Sequence, residues 1–496
     1  MGYQPGFQSK LFYHQINLDQ RVPRDHILRK IRGQIDFDFI YAEVKDSYGD
    51  NGNVSIPPPV ILKMMLLLIL YNVRSERELM ETIPLRLDWL WFLGYDLDSE
   101  VPDHSVLSKA RARWGKEAFR GFFERIVWQC VEAGLVDGRK IFIDLSLVDA
   151  NASNNSVIDT RSLKVQLQKS YKKLEARLEE KSESMDCRRR YVKENSRYIS
   201  TTDPDAGIVN RGKAKLSYQV HRAVDGRSEV ITATEATPGD VNEAHEMIPL
   251  LESHRLNTGI KAETVVADSK YGTVENFLAC HDRRVEAHMP DLQESTAKRI
   301  EKLNIFPEER FEYDQETDTY RCPAGHRLKP RSLHQSRQSR DYASSKKICA
   351  ACRLREQCTK NKSGRTIKRH LRQEELNRMR EASRSARAKR DIKMRQHLME
   401  RSYARGAWYG FDRARWRGLW RVQIQEYLVS AVQNIQVLLR YGSYLKKSPS
   451  AMIESINEVM RKHIRSFLDY AEMMNSKMGR RVLFGFIDPR LSFIEA

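Results

Sequence analysis

The chain has 496 residues, of which 30% are charged and 41% are hydrophobic. This length allows two or three domains with a large core, and the composition excludes a disordered or fibrous chain. The formal net charge is +19. Such an excess favours a polyanionic partner such as nucleic acid, because each Lys or Arg placed on a phosphate releases condensed counterions.

No segment is typical of membrane insertion or secretion. The longest apolar run, from Val60 to Val73, includes Lys63 and Asn72 and is too short and too polar to span a bilayer. The first residues lack the apolar stretch of a signal peptide. We therefore expect a cytoplasmic protein with no membrane contact.

Residues 1–130 are predicted to form an N-terminal helical domain. One helix begins at Pro57-Pro-Pro59 and continues with apolar residues at helical spacing. Ser75 followed by Glu78 resembles a capping box, and Pro102-Asp-His-Ser105 precedes a helix that ends at Trp114. Small helical domains with scattered Arg often bind DNA, so we expect a DNA-binding domain here.

From Lys140 onward the pattern changes to a mixed α/β arrangement. Asp225-Gly226 is a hairpin signal between two strands, and later strands alternate with helices. This order predicts an RNase H-like mixed sheet as the catalytic core, formed by residues 138–310 and 366–441. The charged segment 155–200 is predicted to be a helical insertion, and the tail 447–496 has no interpretable motif. The predicted strands are 140–145, 216–225, 229–237, 264–268 and 285–289, and the predicted helices are 241–252 and 274–281.

Three carboxylates lie in settings that suit metal-dependent phosphodiester chemistry. Asp144 and Asp268 each close an apolar strand, and Glu400 lies far downstream in a basic helical stretch. Two magnesium or manganese ions need hard oxygen ligands that converge on them, and strand ends position such ligands rigidly. Alone, each residue could equally be a loop, cap or surface ion-pair residue. Alternative carboxylates lie nearby at Asp149, Asp205, Glu381, Asp391 and Glu426.

Four of the seven cysteines are grouped in residues 311–365, which we expect to form a small Cys-rich insertion. The spacing of Cys349 and Cys352 is typical of a zinc knuckle, and Cys322 and Cys358 could complete a structural four-thiolate zinc site. A closed site of this kind leaves no open position for catalysis. Free thiols, a degenerate site, or His326 as a substitute ligand remain alternatives.

The residues around the three carboxylates resemble those of a known family, the DDE transposases of bacterial insertion sequences. More narrowly, they resemble the branch with an N-terminal helical transposase domain and a cysteine-rich insertion. The resemblance covers residues 10–441. Its motifs are Phe142-Ile-Asp144-Leu-Ser146 with Ala150-Asn-Ala-Ser153, Ala267-Asp268-Ser-Lys-Tyr271-Gly272, and Glu400-Arg-Ser-Tyr403-Ala404 with Arg413-Ala-Arg415-Trp-Arg417-Gly418.

The resemblance implies an enzyme that cleaves the ends of an insertion sequence and joins the freed 3′-hydroxyls to target DNA. It implies Asp144, Asp268 and Glu400 as the ligands of two Mg or Mn ions. The expected partners are double-stranded DNA, namely the terminal inverted repeats and the target, and at least one further copy of the chain as a homodimer or larger assembly. The expected location is a bacterial nucleoid.

The sequence departs from the family pattern around the third carboxylate. Related transposases carry Tyr and Arg before this Glu and Lys after it, where this chain has Lys393, Gln396 and Ala407. Arg395 or His397 could replace the Arg, and Arg405 could replace the Lys. In the basic stretch from Arg365 to Arg421, Arg side chains are expected to contact phosphates. The candidate DNA-binding residues are Arg395, Arg401, Arg405, Arg413, Arg415 and Arg417.

Two other hypotheses stay open on the sequence alone. The departures near Glu400 allow a DNA-binding protein that kept the transposase scaffold but lost catalysis. A zinc-containing nuclease of another kind, acting on RNA or replication intermediates, is the third hypothesis.

Overall fold

The computed structural model describes residues 17–48, 55–159, 198–211, 213–292 and 304–441. All of these described residues belong to one compact unit, and the tail predicted at 447–496 lies outside them, as does Cys187. In the described ranges no helix is both long enough and apolar enough to cross a membrane.

The N-terminal region is helical, as predicted. Helix α4 begins within the run Pro57-Pro-Pro59, with Pro58 as its first residue. Apolar side chains are buried on all sides of this helix, so its sequence does not show a single apolar stripe. Ser75 caps α5 by accepting a hydrogen bond from the backbone N–H of Glu78 at 3.1 Å. The helices are α1 (Leu18–Arg21), α2 (Ile27–Gln34), α3 (Ile40–Val44), α4 (Pro58–Leu70), α5 (Glu76–Thr82), α6 (Leu87–Leu93), α7 (Ser105–Trp114) and α8 (Glu117–Glu132).

A mixed sheet follows, and this confirms the predicted α/β class. Its strands are β1 (Lys140–Asp149), β4 (Gly207–Arg211), β5 (Lys213–Asp225), β6 (Ile231–Pro238), β7 (Thr264–Val266) and β8 (Glu286–His288). The order is β6–β5–β1–β7–β8, with β4 pairing the first part of β5. Strand β1 is antiparallel to β5 and parallel to β7, and β8 is parallel to β7.

Two helices pack on one face of this sheet, α9 (Met247–Thr258) and α10 (Val274–Arg283). Helix α9 begins later than the predicted 241–252, because Asn242 first caps a 3-10 turn at Glu243–Glu246. The charged segment 155–200, predicted to be helical, has short strands at its ends: β2 (Val157–Asp159) pairs with β3 (Tyr198–Ser200). Residues 160–197 lie outside the described residues.

The cysteine region forms a second, antiparallel sheet of five strands in sequential order. They are β9 (Glu312–Asp314), β10 (Thr319–Arg321), β11 (Arg327–His334), β12 (Ser339–Ala343) and β13 (Thr366–His370). Two short helices, α11 (Lys346–Ala350) and α12 (Arg355–Cys358), lie between β12 and β13. We had expected the core to resume at residue 366, but β13 completes this second sheet. We call residues 304–370 the cysteine module.

Three helices complete the described fold: α13 (Gln373–Ser383), α14 (Ala386–Ala407) and α15 (Leu419–Tyr441). Helix α14 lies against β1, β7 and β8, on the sheet face opposite α9 and α10. Helix α15 is buried among α4, α8 and β6. One hydrophobic core therefore joins the N-terminal helices, α14 and α15 to the same face of the mixed sheet.

Candidate active site

Asp144 and Asp268 lie at equivalent positions along two neighbouring parallel strands. The prediction that Asp144 closes its strand is wrong, because β1 continues to Asp149 through pairing with β5, whereas Asp268 comes two residues after the end of β7. Phe142 of β1 is in register with Val266 of β7, and each Asp comes two residues later in its own strand direction. Because side chains alternate along a strand, both carboxylates leave the sheet on the face that α14 covers. The predicted Asp pair is therefore brought together by strand register.

The backbone around Asp268 is tightly built. Its side chain caps a 3-10 turn, Ser269–Tyr271, by accepting a hydrogen bond from the N–H of Lys270 at 3.0 Å. A Cβ on the following Gly272 would lie 2.0 Å from the carbonyl oxygen of Pro290. This close approach explains the glycine at the end of the Ala-Asp-x-x-Tyr-Gly motif.

The ionisation of Asp144 is governed by opposing neighbours. Burial is the largest effect and raises the pKa of this carboxyl, and the negative charge of Asp268 raises it further. The guanidinium of Arg395, which donates to Oδ2, and the N–H of Leu145, 2.9 Å from Oδ1, lower it. Burial prevails, so the pKa of Asp144 stays above its ordinary value.

Glu400 lies on α14 but outside the Asp pair. It is exposed, and its Oε1 accepts a hydrogen bond from Gln396 at 3.3 Å. Among the described residues, the three carboxylates do not form a set whose ligand oxygens all lie within 4.8 Å of one another. The same helix does reach the pair through Arg395, which lies five residues before Glu400.

Another residue of α14 holds the strand that carries Asp144. The hydroxyl of Tyr403 lies 2.8 Å from the carbonyl oxygen of Asp144 and 3.1 Å from that of Val220. The Tyr403 hydroxyl therefore links β1 and β5 on the sheet face that α14 covers. The half-buried ring packs beside Phe411, with centroids 5.3 Å apart.

A buried ion pair lies directly beside the Asp pair. Arg222 of β5 is opposite Asp144 in the antiparallel register and is fully buried. Its guanidinium binds Glu426 of α15 through two hydrogen bonds, of 2.7 and 3.1 Å, and donates to the carbonyl oxygen of Ser402 at 3.2 Å. These bonds tie β5, α14 and α15 together.

Most of the alternative carboxylates named from the sequence are bound to other partners within the protein. Glu426 is committed to Arg222, and Asp391 accepts from Lys140 and His288 at 2.9 and 2.8 Å. Asp149 pairs with Lys215, and Asp205 accepts from the N–H of Leu419. The exposed Glu381 lies on α13. We did not single out Arg222 from the sequence, although an Arg within an otherwise buried strand was a signal that could have found it.

Cys322, Cys349, Cys352 and Cys358 line one cavity of about 30 Å³ in the cysteine module. All four are free thiols, and no three of their sulfurs lie within 4.8 Å of one another. The pKa of Cys358 is raised by burial and by the three other sulfurs, against a lowering effect of Arg365. His326 also lines the cavity, but it is exposed.

Among the described residues, one group of three potential metal ligands has all of its ligand atoms within 4.8 Å of one another. It consists of His281, Asp282 and Glu375. The guanidinium of Arg372 forms ion pairs with both of these carboxylates. Arg372 therefore already serves as the cation for both carboxylates, and the cluster forms a contact between α10 and α13.

Two domain families match the chain. The family model described as "Transposase domain (DUF772)" matches residues 16–113, and the one described as "Transposase DDE domain" matches residues 321–439. The chain belongs to the insertion-sequence DDE transposases. The second match includes Glu400 and the cysteine cluster of the transposase, whereas Asp144 and Asp268 lie outside both matched ranges. No curated protein matches the chain.

The arginines expected to bind DNA on α14 of the transposase have partners within the protein. Arg395 is paired with Asp144. Arg401 and Arg405 both form ion pairs with Glu229, in the hairpin between β5 and β6. These three side chains would have to leave a carboxylate to reach a phosphate.

The arginines between α14 and α15 differ from one another. Arg415 donates to the side chain of Asn72 and to the carbonyl of Val73, and thereby ties this segment to the N-terminal helices. Arg417 donates to the carbonyl of Asn151 at 3.0 Å but is exposed. Arg413 is exposed, and no carboxylate of the described residues lies within 4 Å of it.

Trp416, which lies in the same basic stretch, also serves the contact with the N-terminal helices. Its indole N–H donates to Glu76 at 3.1 Å, and the guanidinium of Arg111 lies 3.9 Å from its ring centroid. Arg111 is itself paired with Glu76. This aromatic residue of the transposase is thus packed against the protein rather than presented to DNA bases.

Proposed function

We propose that this transposase cleaves the ends of its insertion sequence and joins the 3′-hydroxyls to target DNA. The observation that carries the proposal is the placement of Asp144 and Asp268 at equivalent positions of two adjacent parallel strands, under a helix that bears Glu400. The strand order is β6–β5–β1–β7–β8, and β5 runs antiparallel to both of its neighbours while β1, β7 and β8 are parallel. This arrangement supports an RNase H-like core.

Asp144, Asp268 and Glu400 would hold two Mg or Mn ions, since carboxylate oxygens are the ligands that these hard cations prefer. When bound, the ions activate the attacking hydroxyl or water and stabilise the leaving 3′-oxygen. In each step one phosphorus–oxygen bond forms and the bond to the leaving 3′-oxygen breaks. Arg395 favours the ionised form of Asp144 and orients its carboxylate, and Tyr403 fixes the strand beneath it.

The DNA partners are the terminal inverted repeats of the element and the target duplex. Two ends must be held together for joining, so we propose that the transposase acts as a homodimer or a larger assembly. The exposed Arg413 and Arg417 are the residues of the former candidate set that are best placed to contact phosphates.

The four cysteines suit a structural zinc ion in the cysteine module. The donor set of four thiols around one cavity supports this proposal, and Cys349 and Cys352 have knuckle spacing. The core of this module contains only five buried apolar side chains, so a bound metal would supply much of its stability.

A cleavage assay tests the function. The substrate is duplex DNA carrying the inverted repeats that flank the gene, with Mg²⁺ or Mn²⁺ present. Asp144→Asn and Asp268→Asn should each reduce cleavage to background while binding to the repeat ends persists. Asp149→Asn is the matched control, because Asp149 lies on the same strand and pairs with Lys215. Cleavage retained by either active-site variant would overturn the assignment.

A second candidate is a DNA-binding protein on the same scaffold that has lost catalysis. The exposed position of Glu400, apart from the Asp pair, favours it. In that case the wild-type protein binds the repeats but does not cleave them with either metal.

A further inference from the structure

The second part of the cysteine module is strongly basic. Residues 321–370 contain fifteen Lys and Arg but only two Asp and Glu, an excess of +13. The acidic charge of the module lies in residues 304–320, which contain six Asp and Glu but one Arg. The basic stretch that we first assigned to DNA contact, from Arg365 to Arg421, lies mostly outside the segment 321–370. The module therefore offers a second basic segment that attracts a polyanion.

The second sheet has one covered face and one open face. Tyr320, Leu328, Tyr342 and Ile367 point into the small core of the module. Since side chains alternate along a strand, the neighbouring residues point the other way. On that open face the exposed basic residues are Arg321, Arg327, Lys329 and Lys368.

Among the described residues, the four basic side chains of the open face form no close ion pair: none has a carboxylate within 4 Å. Arg340 and Arg369, on the covered face, are paired with Asp318 and Glu374. In the register of the sheet Arg321 lies between Arg327 of β11 and Glu312 of β9. On the β11 side it therefore faces a like charge, and an anion bound there would relieve that repulsion.

The acidic residues of the open face lie at its margin or are paired. Asp341, opposite Lys368, accepts a hydrogen bond from His334 at 3.1 Å. Glu312 and Asp314 lie on the edge strand β9. The basic residues thus occupy β10, β11 and β13, with an acidic border on one side.

The position of the aromatic residues distinguishes a single-stranded from a duplex partner. Single-stranded nucleic acid is bound by stacking its bases on exposed aromatic rings. The tyrosines of this sheet, Tyr313, Tyr320 and Tyr342, pack against one another on the covered face. An open face that presents basic side chains but no aromatic rings suits the phosphates of a duplex, which carries one negative charge per about 1.7 Å of its axis.

We propose that the open face of the cysteine module binds the phosphate backbone of duplex DNA without regard to sequence, at a distance from the carboxylate site. The proposal rests on the proposed action of the transposase on DNA. It gives the module a binding role in addition to the structural zinc site.

The test measures binding of the full-length, zinc-loaded protein to a duplex of arbitrary sequence by fluorescence anisotropy over a range of salt concentrations. The double variant Arg327→Gln/Lys329→Gln should bind more weakly. The slope of log K against log salt should fall by about two, because about one counterion is released per phosphate contact. Lys368→Gln, on another strand, should lower the slope by about one.

The matched control is Arg227→Gln/Lys261→Gln, which removes two exposed basic side chains outside the cysteine module. It should keep the wild-type affinity and slope. If the face variants also keep them, or lose binding to RNA but not to duplex DNA, the proposal is overturned. Zinc content and the unfolding midpoint verify that these variants are folded.

The outcome is separable from that of the proposed function. If the face variants show a reduced slope but the wild-type protein never cleaves, the binding face is upheld and the catalytic proposal is removed. Unchanged binding by the face variants, together with cleavage that depends on Asp144, would remove the binding face alone.

Discussion

At the scale of single residues, Asp144 depends on the cation beside it. Burial raises the pKa of this carboxyl, and the charge of Arg395 acts against that rise. A carboxylate must be ionised to hold a metal ion. Arg395 therefore widens the pH range over which Asp144 can serve as a ligand.

Replacing Arg395 by Gln should raise the pKa of Asp144 further, because Arg395 is the strongest of the groups that lower it and burial then acts against the Leu145 N–H alone. The ionised fraction falls at any given acidic pH, so the acid limb of the cleavage profile should move to higher pH. The measurement is the rate of repeat-end cleavage against pH. Arg401→Gln, on the same helix but paired with Glu229, should keep the wild-type limb; equal limbs in both variants would contradict the role given to Arg395.

Sequence reasoning found the Asp pair but not its partner. Strand ends are local features, and Asp144 and Asp268 each close an apolar run. The pairing of Arg395 with Asp144 spans 251 positions in sequence, so it depends on where α14 crosses the sheet. From the sequence, Arg395 was expected to contact DNA.

At the scale of elements, the cysteine module is the part whose stability depends most on a ligand. Its core consists of Phe311, Tyr320, Leu328, Tyr342 and Ile367. A core of this size stabilises a small fold poorly unless a metal or disulfide supports it. The spacing of Cys349 and Cys352 was readable in the sequence, but the common cavity of the four thiols was not.

Cys352→Ala should reduce bound zinc from one ion per chain toward none, because one of four ligands is lost. The module should then become sensitive to proteolysis. Metal content is measured by mass spectrometry on protein purified without chelators. Cys280→Ala removes a buried thiol of α10, whose pKa burial raises to about 12, and should keep the full zinc content. Absence of zinc from the wild-type protein would refute the site.

At the scale of the whole molecule, three histidines are buried in the mixed sheet and its α9 face, namely His221, His254 and His288, and burial lowers the pKa of the first two. His254 lies 3.0 Å from the carbonyl oxygen of Gly138 and 2.9 Å from the hydroxyl of Thr232. Burial lowers the pKa of His254 to about 4 and that of His221 to about 3. Both therefore stay neutral in the folded protein at pH values where an unfolded histidine, with a pKa of about 6.5, is protonated.

Stability should consequently fall as the pH drops below about 6.5, because the unfolded chain then binds more protons. Each such histidine contributes a slope of up to about 1.4 kcal/mol per pH unit. Urea midpoints between pH 7 and 5 measure the loss. His254→Gln should flatten this dependence, and His397→Gln, at an exposed position of α14, should not. A slope that is the same in wild type and His254→Gln would show that His254 does not titrate in this way.

The sequence by itself determined the order of most strands and helices, and it predicted the two aspartates and the four cysteines as metal ligands. These predictions depend on residues close together in the chain: apolar runs, caps, and short metal-ligand spacings. Only the tertiary structure decided that Arg415 and Trp416 hold the N-terminal helices, that Arg222 and Glu426 form a buried pair, and that Glu400 is exposed and forms no close cluster with the Asp pair. Those outcomes depend on crossings between distant elements and on which face of a strand is covered, which no local pattern specifies.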